Sequence, residues 1–290
     1  MIKLLALDLD GTLLNSKGKI SEANKIAIRQ AEDLGVLVTI ATGRRFRDAL
    51  PIAAELEFNA PLITHNGGLL KYAQNLETVA ASLLSHATSL EILRVGKEFG
   101  GDALVSVDPH GKGTLLFDTV SDANIPLQRY IAWSKNLHGD ENEKSIIHVK
   151  HLENEIPRNE IIHISFSGGC ESMKEMQQVL QDELGDIVTL LATIYPRLDF
   201  TLLDILPPDA SKGTGVGKLA KLNGLKSENV MAVGDNFNDL EMLEFAGTAV
   251  VMGNADPSLL ERTEFYTTVS NDESGVAAAI EKFILNQENF

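Results

Sequence analysis

The chain has 290 residues, enough for one large domain or two ordinary ones. Hydrophobic residues make up 44% and charged residues 23%, which allows a substantial packed core and argues against global disorder. Its 25 Lys and Arg face 41 Asp and Glu, a formal net charge of -16, so the surface repels polyanions and disfavours nucleic acid and anionic membranes as partners.

The N-terminal run Ile2–Leu9 is short, nearly all apolar and interrupted by Asp8, a poor signal peptide but a good strand buried on both faces of a parallel sheet. Asp10-Gly11-Thr12 follows as a turn. Ser21 caps a predicted helix with Ile26, Ala27, Ala31 and Leu34 on one face, stopped by Gly35. Val36–Ala41 reads as a second strand, Phe46–Leu56 as a helix and Leu62–Thr64 as a third strand, followed by Asn66-Gly67-Gly68. That alternation is the grammar of a parallel α/β sheet.

Between about Leu84 and Leu206 the pattern changes. Ser89–Phe99 and Glu171–Leu184 read as helices; Ala103–Val107, Thr114–Asp118, Ile161–Phe166 and Arg197–Leu206 read as strands. The Pro207-Pro208 pair marks the exit of this stretch. The α/β grammar then resumes with a strand at Val230–Val233, a helix at Asp239–Phe245 and a strand at Ala249–Met252. Asp256-Pro257 is a helix start, and Val276–Leu285 a closing helix. The expected fold is therefore a two-domain α/β protein: a Rossmann-like, mostly parallel sheet core from residues 1–83 and 207–290, with an α+β cap domain, residues 84–206, inserted into it.

Four groups of residues carry candidate chemistry. Asp8 and Asp10 stand two positions apart at the end of a buried strand. They are either an ordinary strand-end turn or a catalytic pair at the sheet edge where open α/β folds bind ligands. Gly234-Asp235-Asn236-Phe237-Asn238-Asp239 repeats the arrangement after a later strand. There Asp239 is either a helix-capping acid or a ligand, and two strand ends bearing carboxylates suit a hard cation, magnesium best of all. Thr42-Gly43-Arg44 offers a hydroxyl and free amides to phosphoryl oxygens. Lys212, in Ser211-Lys212-Gly213, is a surface lysine in the bland reading and the cation of a carboxylate cluster in the sharp one.

In this order, the motifs Asp8-Leu9-Asp10-Gly11-Thr12, Thr42-Gly43-Arg44, Ser211-Lys212 and Gly234–Asp239 resemble the haloacid dehalogenase-like (HAD) superfamily of phosphohydrolases. Asn66-Gly67-Gly68 brings the chain closest to the Cof-type phosphatases, whose cap lies between the second and third motifs. The resemblance implies a Mg2+-dependent phosphatase that hydrolyses phosphomonoesters of small metabolites, such as sugar phosphates or phosphorylated cofactors, through an aspartyl phosphate. It assigns Asp8 as nucleophile and Asp10 as general acid and base. Magnesium falls to Asp8, the Asp10 backbone carbonyl and Asp235, with Asp239 in support and orienting Lys212. Thr42, the Gly43 amide and Lys212 take the phosphoryl oxygens. Asn66, Gly67 and Asn238 lie beside the substrate, and Arg44 either approaches it or pairs structurally.

Two alternatives share these residues: a sugar phosphomutase, which returns the phosphate to sugar, and a slow phosphate-binding regulatory protein. The latter predicts a long-lived acyl phosphate if it is phosphorylated and turns over slowly, or loss of at least one of Asp8, Asp10, Lys212 and Asp235 if it is non-catalytic, and all four are present. Gly213, Gly215 and Gly217 depart from the pattern; each interior glycine costs a helix about 1 kcal/mol, so the helix bearing Lys212 is expected to start late or fray. They form neither the dinucleotide fingerprint nor a P-loop. The seven histidines show no metal-ligand spacing, and only His65, beside Asn66, lies at a candidate strand end. Trp133 and Tyr130 read as cap packing, and Cys170, alone, excludes an intramolecular disulfide and fits a reducing compartment. The remaining expectations are a cytoplasmic location, a small phosphorylated metabolite as partner, and a monomer or homodimer.

Overall fold

The structure, a computed structural model, describes residues 1–139 and 142–286. Residues 140–141 of the expected cap and 287–290 of the expected core lie outside the described residues. The chain divides into two compact units: Met1–Arg44, Leu50–Val79 and Ser211–Phe290 form the first, Arg45–Ala49 and Ala80–Ala210 the second.

The first unit opens with β1 (Leu4–Leu7), whose four residues are all buried. After the Asp8–Thr12 turn, α1 (Glu22–Asp33) starts where the Ser21 Oγ accepts the Asn24 amide at 3.2 Å. Next along the chain come β2 (Leu37–Ile40), α2 (Phe46–Leu56), β3 (Leu62–Thr64), β4 (Leu69–Lys71) and β5 (Thr78–Ala81); the first four residues of α2 and the last two of β5 group with the second unit.

The second unit contains α3 (His86–Glu98), β6 (Asp102–Val107), β7 (Thr114–Phe117), α4 (Ile125–His138), α5 (Asn142–Ser145) and β8 (Ile146–His148). It continues with α6 (Leu152–Glu155), β9 (Ile161–Gly168), α7 (Cys170–Leu184), β10 (Thr189–Tyr195) and β11 (Phe200–Leu206). The chain then returns to the first unit with α8 (Lys212–Leu222), β12 (Val230–Gly234), α9 (Leu240–Phe245), β13 (Thr248–Val251), α10 (Pro257–Leu260), β14 (Tyr266–Thr267) and α11 (Gly275–Ile280).

The main sheet of the first unit runs β14-β13-β12-β1-β2, parallel throughout. Parallel strands need crossovers and are covered on both faces, which is why β1 and β12 read as unbroken apolar runs. The register pairs Leu7 with Val233 and with Ile40, so the strands end side by side. Asp8, Asp235 and Thr42 therefore leave the sheet from one edge.

The second unit is built on a six-stranded sheet, β10-β11-β9-β6-β7-β8, antiparallel except for the β7–β8 pair. α3 and α7 bury Ile92, Leu93, Met173, Met176 and Leu180 against Val105, Ile164, Phe166 and Leu203 of the sheet. Leu104 and Leu115 form a smaller cluster with Leu127 of α4 and Ile146.

Several features depart from the sequence reading: β4, β5, α4, α5, β8, α6, β10 and β14 lie outside its expectations, and Arg197 lies in a turn before β11, where Asp199 has φ +44°. Residues 45–49, which the sequence reading leaves in the core, group with the second unit. The reason is a buried network: Arg45 binds both Asp48 oxygens at 2.7 and 2.9 Å, the Ser134 Oγ at 3.0 Å and the Ser145 carbonyl at 3.0 Å. Tyr130 and His138 complete it on Asp48 at 3.0 and 2.9 Å. No described helix is long and apolar enough to cross a membrane.

Candidate active site

The site is assembled at the carboxyl edge of the first unit's sheet. The Lys212 Nζ donates to Asp8 Oδ1 and to Asp239 Oδ1, both at 2.6 Å, and all three side chains are buried. Asp239 in turn accepts the backbone amides of Asp235 and Asn236 on its other oxygen, at 2.9 and 3.0 Å. The Thr12 hydroxyl donates to Asp235 Oδ1 at 2.7 Å. One carboxylate oxygen each from Asp8, Asp235 and Asp239 lie within 4.8 Å of one another.

The electrostatics follow from that crowding. Burial pushes the Asp8 carboxyl well above the usual carboxylate range; Asp239 and Asp235 add to the rise and Lys212 opposes it. Burial raises Asp235 too, against the Thr12 hydrogen bond. Burial alone would lower Lys212, yet Asp239 and Asp8 outweigh it and hold the ammonium above its ordinary value. When all three carboxyls are ionised they leave two negative charges against the one ammonium. A hard divalent cation with oxygen ligands offsets both, so the donor set fits magnesium in type and in charge.

Lys212 is held by the helix that the sequence reading expects to start late. α8 instead begins at Lys212, and Ser211 caps it: its Oγ accepts the Thr214 amide at 3.1 Å, and the Thr214 Oγ1 accepts the Ser211 amide at 3.0 Å. The glycines serve packing. A Cβ at Gly213 would lie 2.7 Å from the backbone carbon of Glu241, and one at Gly215 would lie 2.5 Å from Ile63 Cγ2.

The phosphate-binding candidates lie next to this cluster along the sheet edge. Thr42 is buried; its amide donates to the Ile63 carbonyl at 2.9 Å and its Oγ1 accepts the Arg44 amide at 3.1 Å. His65, Asn66 and Gly67 take φ values of +52°, +49° and +88°, so two non-glycine residues sit in the left-handed region in succession. Each costs about 1–2 kcal/mol relative to ordinary backbone. Hydrogen bonds from the His65 amide to the Arg44 carbonyl at 3.0 Å and from the Asn66 amide to the Thr42 carbonyl at 3.1 Å hold them there. Asn238 reaches Asn66 Oδ1 at 3.5 Å, a weak contact.

Asp10 stands apart from the carboxylate cluster. Its side chain is exposed and pairs with both sides of the Arg44 guanidinium, Nε to Oδ2 at 2.8 Å and Nη2 to Oδ1 at 2.5 Å. Of the two readings open for Arg44, the structure contains the ion pair. Two functional supports escaped the sequence reading. Thr12 stands in the first motif with no role of its own there, and Asn254 belongs to no motif, although its Nδ2 donates to the Gly11 carbonyl at 2.9 Å. Asn271 extends that brace: its amide donates to Asn254 Oδ1 and its side chain to the Leu14 carbonyl, both at 2.8 Å.

A family model described as haloacid dehalogenase-like hydrolase matches residues 5–280. The chain belongs to that family. It is 32% identical over 301 residues to the 5-amino-6-(5-phospho-D-ribitylamino)uracil phosphatase YwtE of Bacillus subtilis, covering 99% of both chains. It is 28% identical over 267 residues to the HMP-PP phosphatase of Cronobacter sakazakii, covering 90% of this chain and 87% of that one. A haloacid dehalogenase-like hydrolase from Bacteroides thetaiotaomicron superposes with a TM-score of 0.79 at 26% identity, over 97% of this chain and 99% of the other. The parallel-sheet core is thus the HAD-like α/β fold, and this is an enzyme of a family whose similar members are phosphatases.

Proposed function

We propose that this protein is a magnesium-dependent phosphatase acting on phosphomonoesters of small metabolites, with Asp8 as the nucleophile. The observation that carries the reading is the buried Asp8–Lys212–Asp239 chain, with Asp235 beside it, at the ends of β1 and β12. The Lys212 ammonium, 2.6 Å from Asp8 Oδ1, opposes the rise that burial imposes on that carboxyl and fixes its direction, as an in-line nucleophile requires.

An oxygen of Asp8 attacks phosphorus as the bond to the leaving oxygen breaks, giving an aspartyl phosphate. Asp10 delivers its proton to the departing alkoxide. Water then attacks the aspartyl phosphate, Asp10 takes the water's proton, and inorganic phosphate leaves with Asp8 regenerated. Asp10 reaches this work after its pair with Arg44 opens, and Arg44 is then free to meet the substrate. Thr42, the Gly43 amide and Lys212 take the phosphoryl oxygens, while Asn66, Gly67 and Asn238 line the substrate side. Asp8, Asp235, Asp239 and the Asp10 backbone carbonyl would hold magnesium, which when bound neutralises charge on the transferring phosphoryl group.

The similar phosphatases act on a phosphorylated ribityl-pyrimidine and on HMP-PP, as their names state, which points the substrate search to phosphorylated sugars, sugar alcohols and cofactor precursors. The test is phosphate release from a panel of such esters, with magnesium or chelator, for wild type and Asp8→Asn. The expected result is magnesium-dependent release that falls by about 10³-fold or more in the variant, toward the roughly 10⁶-fold loss seen when a hydrolase loses its nucleophile. Release that survives in Asp8→Asn sinks the assignment.

A further inference from the structure

β10 is the outermost strand of the second unit's sheet; among the described residues it pairs with β11 alone. It has seven residues, Thr-Leu-Leu-Ala-Thr-Ile-Tyr, longer than the usual five or six. Its register with β11 runs unbroken from Thr189 to Tyr195, without a bulge. Edge strands in natural sheets are normally blunted by lysine, proline, a bulge or an inward charge, because an open edge templates another strand. β10 has none of these. Leu190 and Ala192 pack against the second unit's core cluster and are only partly buried. Ile187, Ile194, Tyr195 and Leu198, along and just beyond the strand, are 53%, 58%, 47% and 66% exposed.

We propose that β10 is a homodimer edge, where a second copy of this chain adds its own β10 antiparallel about a two-fold axis at Ala192. Two six-stranded sheets would then run on as one.

Symmetry and charge favour a second copy over a foreign strand. About Ala192, Leu190 falls opposite Ile194, Leu191 opposite Thr193, and Thr189 opposite Tyr195. Every cross-strand pair is thus uncharged, and most join apolar or β-branched residues, the pairings that stabilise sheets. A chain of net charge -16 repels its own kind, so an interface between copies must be free of charge or complementary in it. Residues 187–195 carry no charge. The flanking turns hold Asp186 at one end and Arg197 at the other. Antiparallel pairing sets Asp186 opposite Leu198 of the second copy, between Arg197 and Asp199, twice by symmetry, so the flanking turns meet with an opposite charge present, whereas parallel pairing would set Asp186 beside Asp186. A contact that uses the same patch on both subunits also closes on itself and gives a dimer, not a fibre.

The experiment is sedimentation of the full chain over a concentration series, for wild type and the double variant L191K/T193K. The expected result is a species of twice the 31.5 kDa chain mass for wild type and the single chain mass for the variant, with the same far-ultraviolet dichroism. A second variant, A192C in a C170S background, tests the register. Opposite residues of antiparallel strands have Cα atoms about 4.5–5.5 Å apart, within disulfide reach, so mild oxidation should cross-link it at the symmetry axis. Wild type that stays monomeric throughout, a dimer that survives L191K/T193K, or a dimer that A192C does not cross-link each overturns the proposal. None of these outcomes bears on the phosphatase reading, which is scored by phosphate release.

Discussion

Gly11 shows how closely the site is drawn together. Its φ is +88°, and a Cβ there would lie 2.3 Å from Asp235 Oδ2. Gly11→Ala therefore meets two obstacles: a left-handed backbone and an atom in the place of a candidate metal ligand. Gly18 separates them, since its φ is +69° and nothing lies within 4 Å of its would-be Cβ. Gly18→Ala should cost only the backbone strain, on the order of 1 kcal/mol, with full phosphate release. Gly11→Ala should lose most of its phosphate release and need more magnesium for what remains. Equal behaviour of the two variants would mean that Asp235 yields without consequence. Thr12 tests the same ligand from the other side. Thr12→Val keeps shape and loses the 2.7 Å hydrogen bond to Asp235 Oδ1. Such supports to metal ligands are typically worth 10- to 100-fold in metal affinity, so half-maximal release should need about 10- to 100-fold more magnesium. An unchanged magnesium titration would place Asp235 outside the metal site.

At the scale of elements, α8 decides between propensity and packing. Propensity alone favours replacing any of its three glycines by alanine, by up to about 1 kcal/mol. Packing divides them. Gly213 touches the backbone at Glu241, while a Cβ at Gly217 would sit 3.5 Å from the Phe245 ring, at ordinary contact distance. Gly213→Ala should destabilise by about 1–3 kcal/mol through overpacking, and Gly217→Ala should stabilise by up to about 1 kcal/mol. Urea unfolding of both variants checks the contrast, and a Gly213→Ala protein more stable than wild type would refute the packing account. The same helix marks the border of what local sequence tells. The apolar runs of β1 and β12 and the carboxylates that end them were legible because a strand covered on both faces leaves an unbroken pattern. The close approach of α8 to Glu241 and Ile63 was not, because it joins residues far apart in the chain. α4 escaped for a different reason: its buried side holds Leu127 and Ser134, and Tyr130 turns its hydroxyl to Asp48, so no apolar stripe repeats along it. Thr12 and Asn254 act on residues 223 and 243 positions away, beyond the reach of any local motif.

For the molecule as a whole, the acid response of stability depends on a buried pair in the second unit. Asp204 accepts the Ser165 hydroxyl at 2.5 Å, and burial, against that bond, raises its carboxyl to about 6. His163 Nε2 lies 3.9 Å from the same oxygen; burial, reinforced by Arg45, lowers its imidazole to about 4. Both groups thus prefer to be neutral when folded, and their linkages have opposite signs. The raised Asp204 favours the folded state fully below the ordinary aspartate value of 3.8, and that advantage is lost as pH rises through about 6. The lowered His163 favours it fully above the ordinary histidine value of 6.5, and that advantage is lost as pH falls through about 4. Between pH 4 and 6.5 the two contributions offset each other, each worth about 3 kcal/mol over the window. Asp204→Asn should unmask the histidine, so that stability climbs with pH more steeply than in wild type across this range. His163→Gln should unmask the aspartate and tilt the curve the other way. Urea titrations of the three proteins at pH 4, 5, 6 and 7 compare them against a common background of other titrating groups. Parallel curves would mean that neither group changes its proton affinity on folding, and that the pair is held by packing and hydrogen bonds alone.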